Sequence, residues 1–333
     1  MRIRIIATLA IIGLLAAGFI AQAQQPIRVI LNNDIEQNTI KGRAFDMLAR
    51  LIEERLGDRV RVTSHHGGTL YNQTDQVSAL QLQAIHFISP TVGVYTGNFP
   101  KLNVLVLPYL LRSPAAIQAA LDDPEIGVGL LAEMEAQDLF PIAAWLNGPR
   151  DVGTSGRPIL TLEDLAGQRI RVPPGDNYVR TFEALGANVT TIAWGEVPTA
   201  LQQGIIDAVE PVPHAWVSSG MYELADQITQ SGHIWDFYIV STSRSWWDGL
   251  PADVREIMAE IVEEVTRYNW EDTIRANEEA VEYMRAQGAT IHTLSDEELA
   301  RWREAVRPVW AELGNPLVGA DIMQRLEEIG NTY

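Results

Sequence analysis

The feature that most constrains this chain is a continuous helical pattern near its C-terminal end. Residues 252–287 contain neither glycine nor proline over 36 positions. Apolar side chains recur there with helical spacing, at Val254, Ile257, Met258, Ile261, Val262 and Val265. An unbroken helix of this length reaches roughly 54 Å, which exceeds one small domain. The helix must therefore span two domains, kink, or project from the molecule.

The rest of the chain alternates strand patterns with helical patterns in two successive units. In the first unit, strands at 27–31 and 60–63 flank a helix at 42–56. In the second, a strand at 168–172 ends at two prolines and a helix follows it. Such alternation predicts two α/β units with largely parallel sheets, joined by crossovers because no clean linker separates them. The apolar run at 102–107 predicts a further strand, buried on both faces.

Charge and composition narrow the classes of partner. The chain has 43 acidic and 25 basic residues, a net charge of −18, and no cysteine. This charge argues against nucleic-acid binding and against docking on anionic lipid, both of which need a basic surface. The lack of cysteine excludes disulfides, thiolate nucleophiles and iron–sulfur sites. An anion-binding site in such a chain would have to depend on a few well-placed cations.

The first residues have the pattern of a secretory signal peptide. Arg2 and Arg4 form a basic start, residues 5–20 are almost entirely apolar, and residues 21–23 are a small-x-small triplet. We predict cleavage after Ala23 and an exported, soluble mature protein. A retained membrane anchor is the alternative, although the apolar run is short for a spanning helix.

Most enzyme signatures are absent from the sequence. It has no nucleophile elbow, no zinc-protease motif and no phosphate-binding loop. Residues 127–132 match a dinucleotide fingerprint in their letters, but no strand precedes them. His65 and His66 are adjacent in a predicted loop, which favours a surface position over a metal site. We therefore predict no metal site and no cofactor.

Three residues at predicted strand ends could form a ligand pocket. Arg171 ends one strand, Trp194 lies in the connection after the next, and Glu210 follows a third. Ligands of parallel α/β sheets collect outside the carboxyl ends of the strands, and a guanidinium pairs bidentately with a carboxylate. The same residues fit equally well a structural ion pair beside a core tryptophan.

The stretch DLAGQRIRVP at 164–173 resembles the signature of the solute-binding (P-subunit) proteins of TRAP transporters, the DctP-like family. The pattern continues in order through 184–188, 193–197 and 200–208. Shorter similarities lie at 68–70, 79–81, 107–109, 145–148 and 246–251. The resemblance covers nearly the whole mature chain.

This resemblance implies a two-lobed α/β periplasmic binding protein with crossover strands and a long bridging C-terminal helix. Lobe I would comprise residues 24–148 and about 237–276, and lobe II residues 149–236 and about 277–333. The lobes would close around the ligand in the cleft between them. The arginine that pairs with the ligand carboxylate in this family falls on Arg171.

Further ligand positions follow from the same resemblance. A second arginine, present in some members, falls on Arg150, and the aromatic position of the family falls on Trp194. The first lobe would add Asn32 or Asn33, Ser89 and Thr91, by position alone.

The chain departs from the family pattern at Pro211. Members usually have an asparagine there that donates to the ligand, and proline has no donor. Either His214, Trp216 or Trp235 replaces this contact, or the ligand differs from the common dicarboxylates and sugar acids. A ligand-bridging metal ion at Glu210 is left open.

We therefore expect a receptor that is not an enzyme. It would bind a small organic carboxylate in the periplasm and deliver it to the membrane permease subunits of a TRAP transporter, as a monomer or a homodimer. One alternative is a solute-binding protein of an ABC-type transporter. Another is an exported hydrolase that uses Glu196 and Glu210 as acid and base.

Overall fold

The computed structural model describes residues 25–333, and the predicted signal peptide at 1–23 lies outside these residues. The strands are β1 (Ile27–Asn32), β2 (Val60–His65), β3 (Leu139–Pro149), β4 (Val152–Thr154), β5 (Arg169–Val172), β6 (Asn188–Thr191), β7 (Ala208–Val209), β8 (Gln227–Gln230), β9 (Trp235–Ser243) and β10 (Thr290–Thr293).

The α-helices alternate with the strands over most of the chain. They are α1 (Ile40–Leu56), α2 (Gln76–Gln81), α3 (Pro114–Asp122), α4 (Gly127–Ala132), α5 (Leu162–Leu165), α6 (Asp176–Ala184), α7 (Val197–Gln202), α8 (Pro213–Ser218), α9 (Arg244–Gly249), α10 (Ala252–Ala286), α11 (Asp296–Ala305), α12 (Arg307–Leu313), α13 (Asn315–Val318) and α14 (Ala320–Thr332). Short 3₁₀ helices include Val92–Tyr95, Pro100–Val106 and Trp194–Glu196.

What we call the first sheet consists of two two-stranded ladders: β1 pairs with β2 in parallel, and β3 pairs with β9 in antiparallel. Single bridges at Phe87 and Ile88 connect the two ladders, the first parallel to Leu31 and the second antiparallel to Ser241. This sheet is therefore mixed rather than largely parallel, because β9 enters it from a distant part of the chain.

The second sheet has six strands in the order β10-β8-β4-β7-β5-β6. Its neighbouring pairs are parallel, except that β4 runs antiparallel to both β7 and β8. Trp194 follows β6, Glu210 follows β7, and Arg171 lies near the end of β5. All three lie toward the carboxyl ends of parallel strands.

Helix α10 is unbroken over 35 residues and spans both parts of the molecule. Its first half buries Val254, Ile261 and Val265 in the core around α1, β3 and β9. Near its other end, Met284 packs into the separate core beneath the second sheet. Of the three predicted possibilities, namely that the helix spans two domains, kinks or projects, the structure thus shows the first.

The run at 102–107 is not the buried strand that the sequence predicts. It belongs to the 3₁₀ helix Pro100–Val106, in which Leu102, Val104 and Leu105 are all buried. Burial on every side removes the periodicity that separates a strand from a helix. Pro100 at the first turn fits a helical start.

Two elements of the chain are short: α2 spans the six residues Gln76–Gln81, and β7 the two residues Ala208–Val209. Within residues 25–333, no helix combines the length and the apolar composition that crossing a bilayer requires. The predicted lobe boundaries after residues 148 and 236 fall within β3 and β9, and their exact positions stay a prediction.

Asn277 of α10 fixes the chain where it passes between the two sheets. Its amide N–H donates to the carbonyl of Asn147, and its carbonyl oxygen accepts from the N–H of His214, both at 3.0 Å. Gly148 has a φ of +124°, and a Cβ at that position would lie 2.3 Å from the amide nitrogen of Asn277. This close approach requires glycine at position 148.

Asp151 is a buried carboxyl in the crossing between β3 and β4. It has no cationic partner among the described residues, and it accepts a hydrogen bond from the N–H of Gly232 at 3.0 Å. Burial raises the pKa of Asp151 to about 7, against the opposing effect of the Gly232 and Ser231 N–H groups.

We predict that Asp151 makes stability fall as pH rises between about 4, the pKa of an unfolded aspartate, and its folded value. In this window the unfolded chain has lost a proton that the folded chain keeps, which costs about 1.4 kcal/mol per pH unit. The variant Asp151→Asn should therefore gain stability over the wild type at pH 8 relative to pH 5. Urea unfolding at both pH values measures this.

The control variant is Asp58→Asn, which alters a fully exposed carboxylate. Its stability difference from the wild type should hardly change between the two pH values. An Asp151→Asn difference that is also the same at pH 5 and pH 8 would contradict the prediction.

Candidate functional site

A cavity lies between the carboxyl-end loops of the two sheets. Its polar lining includes Asp34, Glu36, Lys41, Gln73, Thr91, Asn147, Arg150, Arg171 and Tyr238, and Trp194 forms an aromatic wall. The side chains fill most of the cavity, so the free space between them amounts to only about 30 Å³.

Arg171 has a buried guanidinium with no carboxylate partner among residues 25–333. Its Nε donates to the carbonyl of Ile192 at 2.8 Å, and its guanidinium carbon lies 5.6 Å from the centre of the Trp194 ring. These two contacts fix the direction of the side chain. Its Nη2 has no hydrogen-bond partner in the described part of the chain.

Burial lowers the pKa of the Arg171 guanidinium well below its usual range. Glu210 opposes this shift, and the positive charge of Arg150 adds to it. A carboxylate bound at Arg171 would relieve both unfavourable effects, since an opposite charge favours the ionised form.

Arg150 is buried too, but its charge is already neutralised. Its Nε and Nη2 contact the two oxygens of Glu210 at 2.5 and 2.7 Å, and its Nη1 contacts Asp236 at 2.7 Å. Although burial opposes its charge, these carboxylates raise the pKa of Arg150. Arg150 therefore lines the cavity as one member of an ion cluster.

The cluster around Arg150 continues on its carboxylate side. Tyr178 donates to Asp236 at 3.0 Å, and Nε2 of His233 lies 3.1 Å from Glu210. Burial raises the pKa of Asp236, whereas Arg150 and His233 together hold the pKa of Glu210 below its usual value against burial. These four residues thus support Arg150 from behind the cavity.

A second buried ion pair lies on the side of the first sheet. Lys41 Nζ contacts Asp34 at 2.7 Å, donates to the carbonyl of Ser89 at 3.0 Å, and lies 4.1 Å from the centre of the Tyr238 ring. Burial lowers the pKa of Lys41, against the opposing charge of Asp34. One oxygen of Asp34, Oδ2, has no partner in the described residues.

Trp194 connects the two sides of the cavity. Its indole N–H contacts both carboxylate oxygens of Glu36, at 3.1 and 3.2 Å. Its backbone N–H donates to Gln73 Oε1 at 3.3 Å. Because Glu36 and Gln73 come from the side of the first sheet, the cleft is closed across Trp194.

Of the ligand-binding residues predicted in the first lobe, only some line the cavity. Thr91 lines the cavity, and its hydroxyl has no partner within residues 25–333. The Ser89 hydroxyl is likewise buried without a partner. Asn32 pairs with the backbone of Tyr71, and Asn33 bonds to the backbone of Ile35. Both asparagines are therefore engaged in shaping the loops around the cavity.

The second-lobe candidates near Pro211 also occupy different places. Pro211 itself lines the cavity, whereas Trp216 is fully buried in the core and donates to the carbonyl of Pro211 at 3.1 Å. His214 Nε2 lies 3.1 Å from Asn147 Oδ1, and burial lowers the pKa of His214 to about 4. Trp235 lines a separate groove next to α10.

Sequence reasoning missed Lys41, Asp34 and Asp236. Lys41 lies in the first turn of α1, where it reads as an ordinary solvated residue. Asp34 and Asp236 belong to the loop after β1 and to strand β9. The helical spacing could have revealed Lys41, because it falls on the same face of the helix as Phe45 and Leu48. In the structure all three side chains are buried.

The carboxylates offered for acid and base catalysis do not form a pair. Glu196 is exposed, whereas Glu210 is fully buried and bonded to Arg150. Among the described residues there is also no group of three or more histidines and carboxylates that could hold a metal ion.

Two α/β lobes that close on a cavity around a buried, unpaired cation define a solute-binding protein. The family model for bacterial extracellular solute-binding proteins, family 7 (DctP), matches residues 31–315. The chain belongs to this family, which comprises the solute receptors of TRAP transporters. It is a binding protein rather than an enzyme.

Individual relatives are similar over most of their length. The C4-dicarboxylate-binding periplasmic protein DctP of Rhodobacter capsulatus is 29% identical over 299 residues, which cover 89% of each chain. The C4-dicarboxylate-binding protein DctB of Bacillus subtilis is 28% identical over 296 residues, covering 89% of this chain and 84% of that one.

Solved structures confirm the two-lobed fold. A TRAP solute-binding protein of Shewanella oneidensis with bound succinate superposes with a TM-score of 0.88 at 25% identity, covering 92% of this chain and 99% of that one. The galactonate-bound DctPAm of Advenella mimigardefordensis has the same TM-score of 0.88 at 22% identity and coverage of 92% and 99%.

We predict that Arg150 contributes strongly to stability. The variant Arg150→Met would leave Glu210 and Asp236 buried without their cation, which typically costs about 3–5 kcal/mol. Denaturant unfolding of the ligand-free protein measures this loss.

Arg169→Met is the matched control. Arg169 forms an exposed ion pair with Asp207, and such pairs contribute about 0–1 kcal/mol. If Arg150→Met unfolded no more easily than Arg169→Met, the structural role of the cluster would be refuted.

Proposed function

We propose that this protein binds a small organic carboxylate in the cavity and that the carboxylate pairs with Arg171. The observation that carries the proposal is the buried Arg171 guanidinium without a carboxylate partner in residues 25–333. An unpaired buried cation is costly, and a bidentate carboxylate is its natural complement. The fixed direction of the side chain reduces the ordering cost when the ligand binds.

Relatives and neighbours support a carboxylate as the ligand. The two curated relatives above are named for C4-dicarboxylates, and the Shewanella structure contains succinate. A TRAP solute-binding protein of Pseudomonas aeruginosa, 25% identical with a TM-score of 0.82, contains L-malate. All of these ligands offer a carboxylate that an arginine could hold.

Closure of the lobes would accompany binding. The contacts of Trp194 with Glu36 and Gln73 join the two sides of the cavity. We place the lobe boundaries after residues 148, 236 and about 276, as the resemblance to the family implies. Motion there would turn about β3 and β9, the antiparallel pair that passes through the first two boundaries.

The closed receptor would deliver its solute to membrane permease subunits from the periplasm, after removal of a signal peptide. We propose no resident metal ion or cofactor. Both oxygens of Glu210 accept from Arg150, so its charge is already matched within the chain. Whether the receptor acts as a monomer or a homodimer does not alter this mechanism.

We predict that Arg171→Gln weakens carboxylate binding by about 2–5 kcal/mol, the cost of removing one partner of a desolvated charge pair. A thermal-shift screen of small carboxylates first finds a ligand, since a solute that binds only the folded state raises the melting temperature. Isothermal titration calorimetry then compares the variant with the wild type.

The control is Arg169→Gln, on the same strand. Arg169 is two residues from Arg171 but is exposed and paired with Asp207, so its loss changes the net charge equally without touching the cavity. Equal affinity in Arg171→Gln and Arg169→Gln would refute the assignment of Arg171.

A further inference from the structure

The charges around the cavity leave one cation unmatched. Lys41 is paired with Asp34 at 2.7 Å, and Arg150 is paired with Glu210 and with Asp236. Arg171 is the one cation lining the cavity that has no carboxylate within reach in the described residues. The site can therefore neutralise one ligand carboxylate, and a second would meet no unpaired cation.

One carboxylate of the protein opposes a second ligand carboxylate. Glu36 lines the cavity on the side of the first sheet and has no cationic partner in the described residues, whereas Asp34 is paired with Lys41. A dicarboxylate with one end at Arg171 would bring its other end toward the Glu36 charge inside the buried cavity. Like charges repel strongly under such conditions, and an uncompensated buried charge is costly.

The fully buried polar atoms of the cavity lining that lack a partner point to a different ligand. Within residues 25–333 they are Arg171 Nη2, Thr91 Oγ1 and Asp34 Oδ2. The first is a donor, the second can donate or accept, and an ionised carboxylate oxygen only accepts. A complementary ligand thus has an acceptor for Arg171 and a donor for Asp34.

Pro211 also lines the cavity. It adds no donor there, because proline has neither an N–H nor a polar side chain. Lys41 uses two N–H groups on Asp34 and Ser89 and keeps one. That remaining N–H can donate to a hydroxyl as well as to a carboxylate, so it does not select a second negative charge.

On the basis of the proposed function, we propose that the solute is a monocarboxylate with a hydrogen-bond donor, a hydroxyl or an ammonium group, at the end opposite its carboxylate. Asp34 Oδ2 accepts from this donor while Arg171 holds the carboxylate. Asp34 is thus a specificity-determining residue that selects against dicarboxylates.

Matched ligands test the preference on the wild-type protein. Each set keeps the carbon chain and changes one end: succinate, 4-hydroxybutyrate and 4-aminobutyrate; adipate, 6-hydroxyhexanoate and 6-aminohexanoate; glucarate and gluconate. Calorimetry should show that, in every set that binds, a hydroxyl or ammonium member binds at least about tenfold more tightly than the dicarboxylate. A dicarboxylate that binds as tightly or more tightly would overturn the proposal.

The variant Asp34→Asn tests the residue itself. Asparagine keeps the shape and an oxygen for Lys41, but it can present an N–H where the free acceptor was. The ratio of affinities between the preferred member and its dicarboxylate should fall at least about tenfold, whereas Asp207→Asn, an exposed change of equal charge, should leave it unchanged. An unchanged ratio in a folded Asp34→Asn would overturn the role of Asp34.

The outcomes separate this inference from the proposed function. If the dicarboxylates bind more tightly than their hydroxyl and ammonium counterparts and Arg171→Gln abolishes their binding, the receptor assignment stands. The requirement for a donor on the ligand then fails. If no member of the panel binds the wild type, both fail. Thermal unfolding shows whether Asp34→Asn folds, and the wild-type comparison remains decisive if it does not.

Discussion

The buried cluster of Arg150 with Glu210 and Asp236 is the interaction on which the site depends. It joins the end of β3, the residue after β7 and the start of β9, so it holds the strand ends of two sheets together. Because its charges are satisfied internally, Arg150 does not compete for a ligand anion. The cluster thereby distinguishes two neighbouring arginines: the charge of Arg150 is matched within the chain, and Arg171 is left as the residue that we propose receives the ligand.

The sequence predicted the parts of the fold that have a strong period or a specific motif. Helix α10 was predictable because 36 residues without a helix breaker keep one apolar face. The 3₁₀ helix at Pro100–Val106 was not, since complete burial erases its periodicity. The antiparallel β9 was not apparent from local patterns either, because its partner β3 lies about ninety residues earlier in the chain.

Individual site residues could be predicted where a local sequence motif contains them. Ion pairs between residues far apart in the chain could not. Arg171 and Trp194 could be found from a local motif, and they lie against each other in the cavity. The pairing of Arg150 could not be found, because Glu210 and Asp236 are 60 and 86 residues away. The same holds for Lys41 and Asp34, whose pairing depends on how the loop after β1 turns back over α1.

The unpaired charge of Arg171 also explains how a ligand can control closure. In the closed arrangement this guanidinium is buried beside Trp194, close to the positive Arg150, and both burial and that charge oppose its ionised form. The contacts of Trp194 with Glu36 and Gln73 favour closure but must overcome this cost. If the proposed carboxylate binds at Arg171, it offsets this cost in the closed form alone and shifts the population toward closure by that difference. On the proposed function, the closed state would therefore depend on the bound anion.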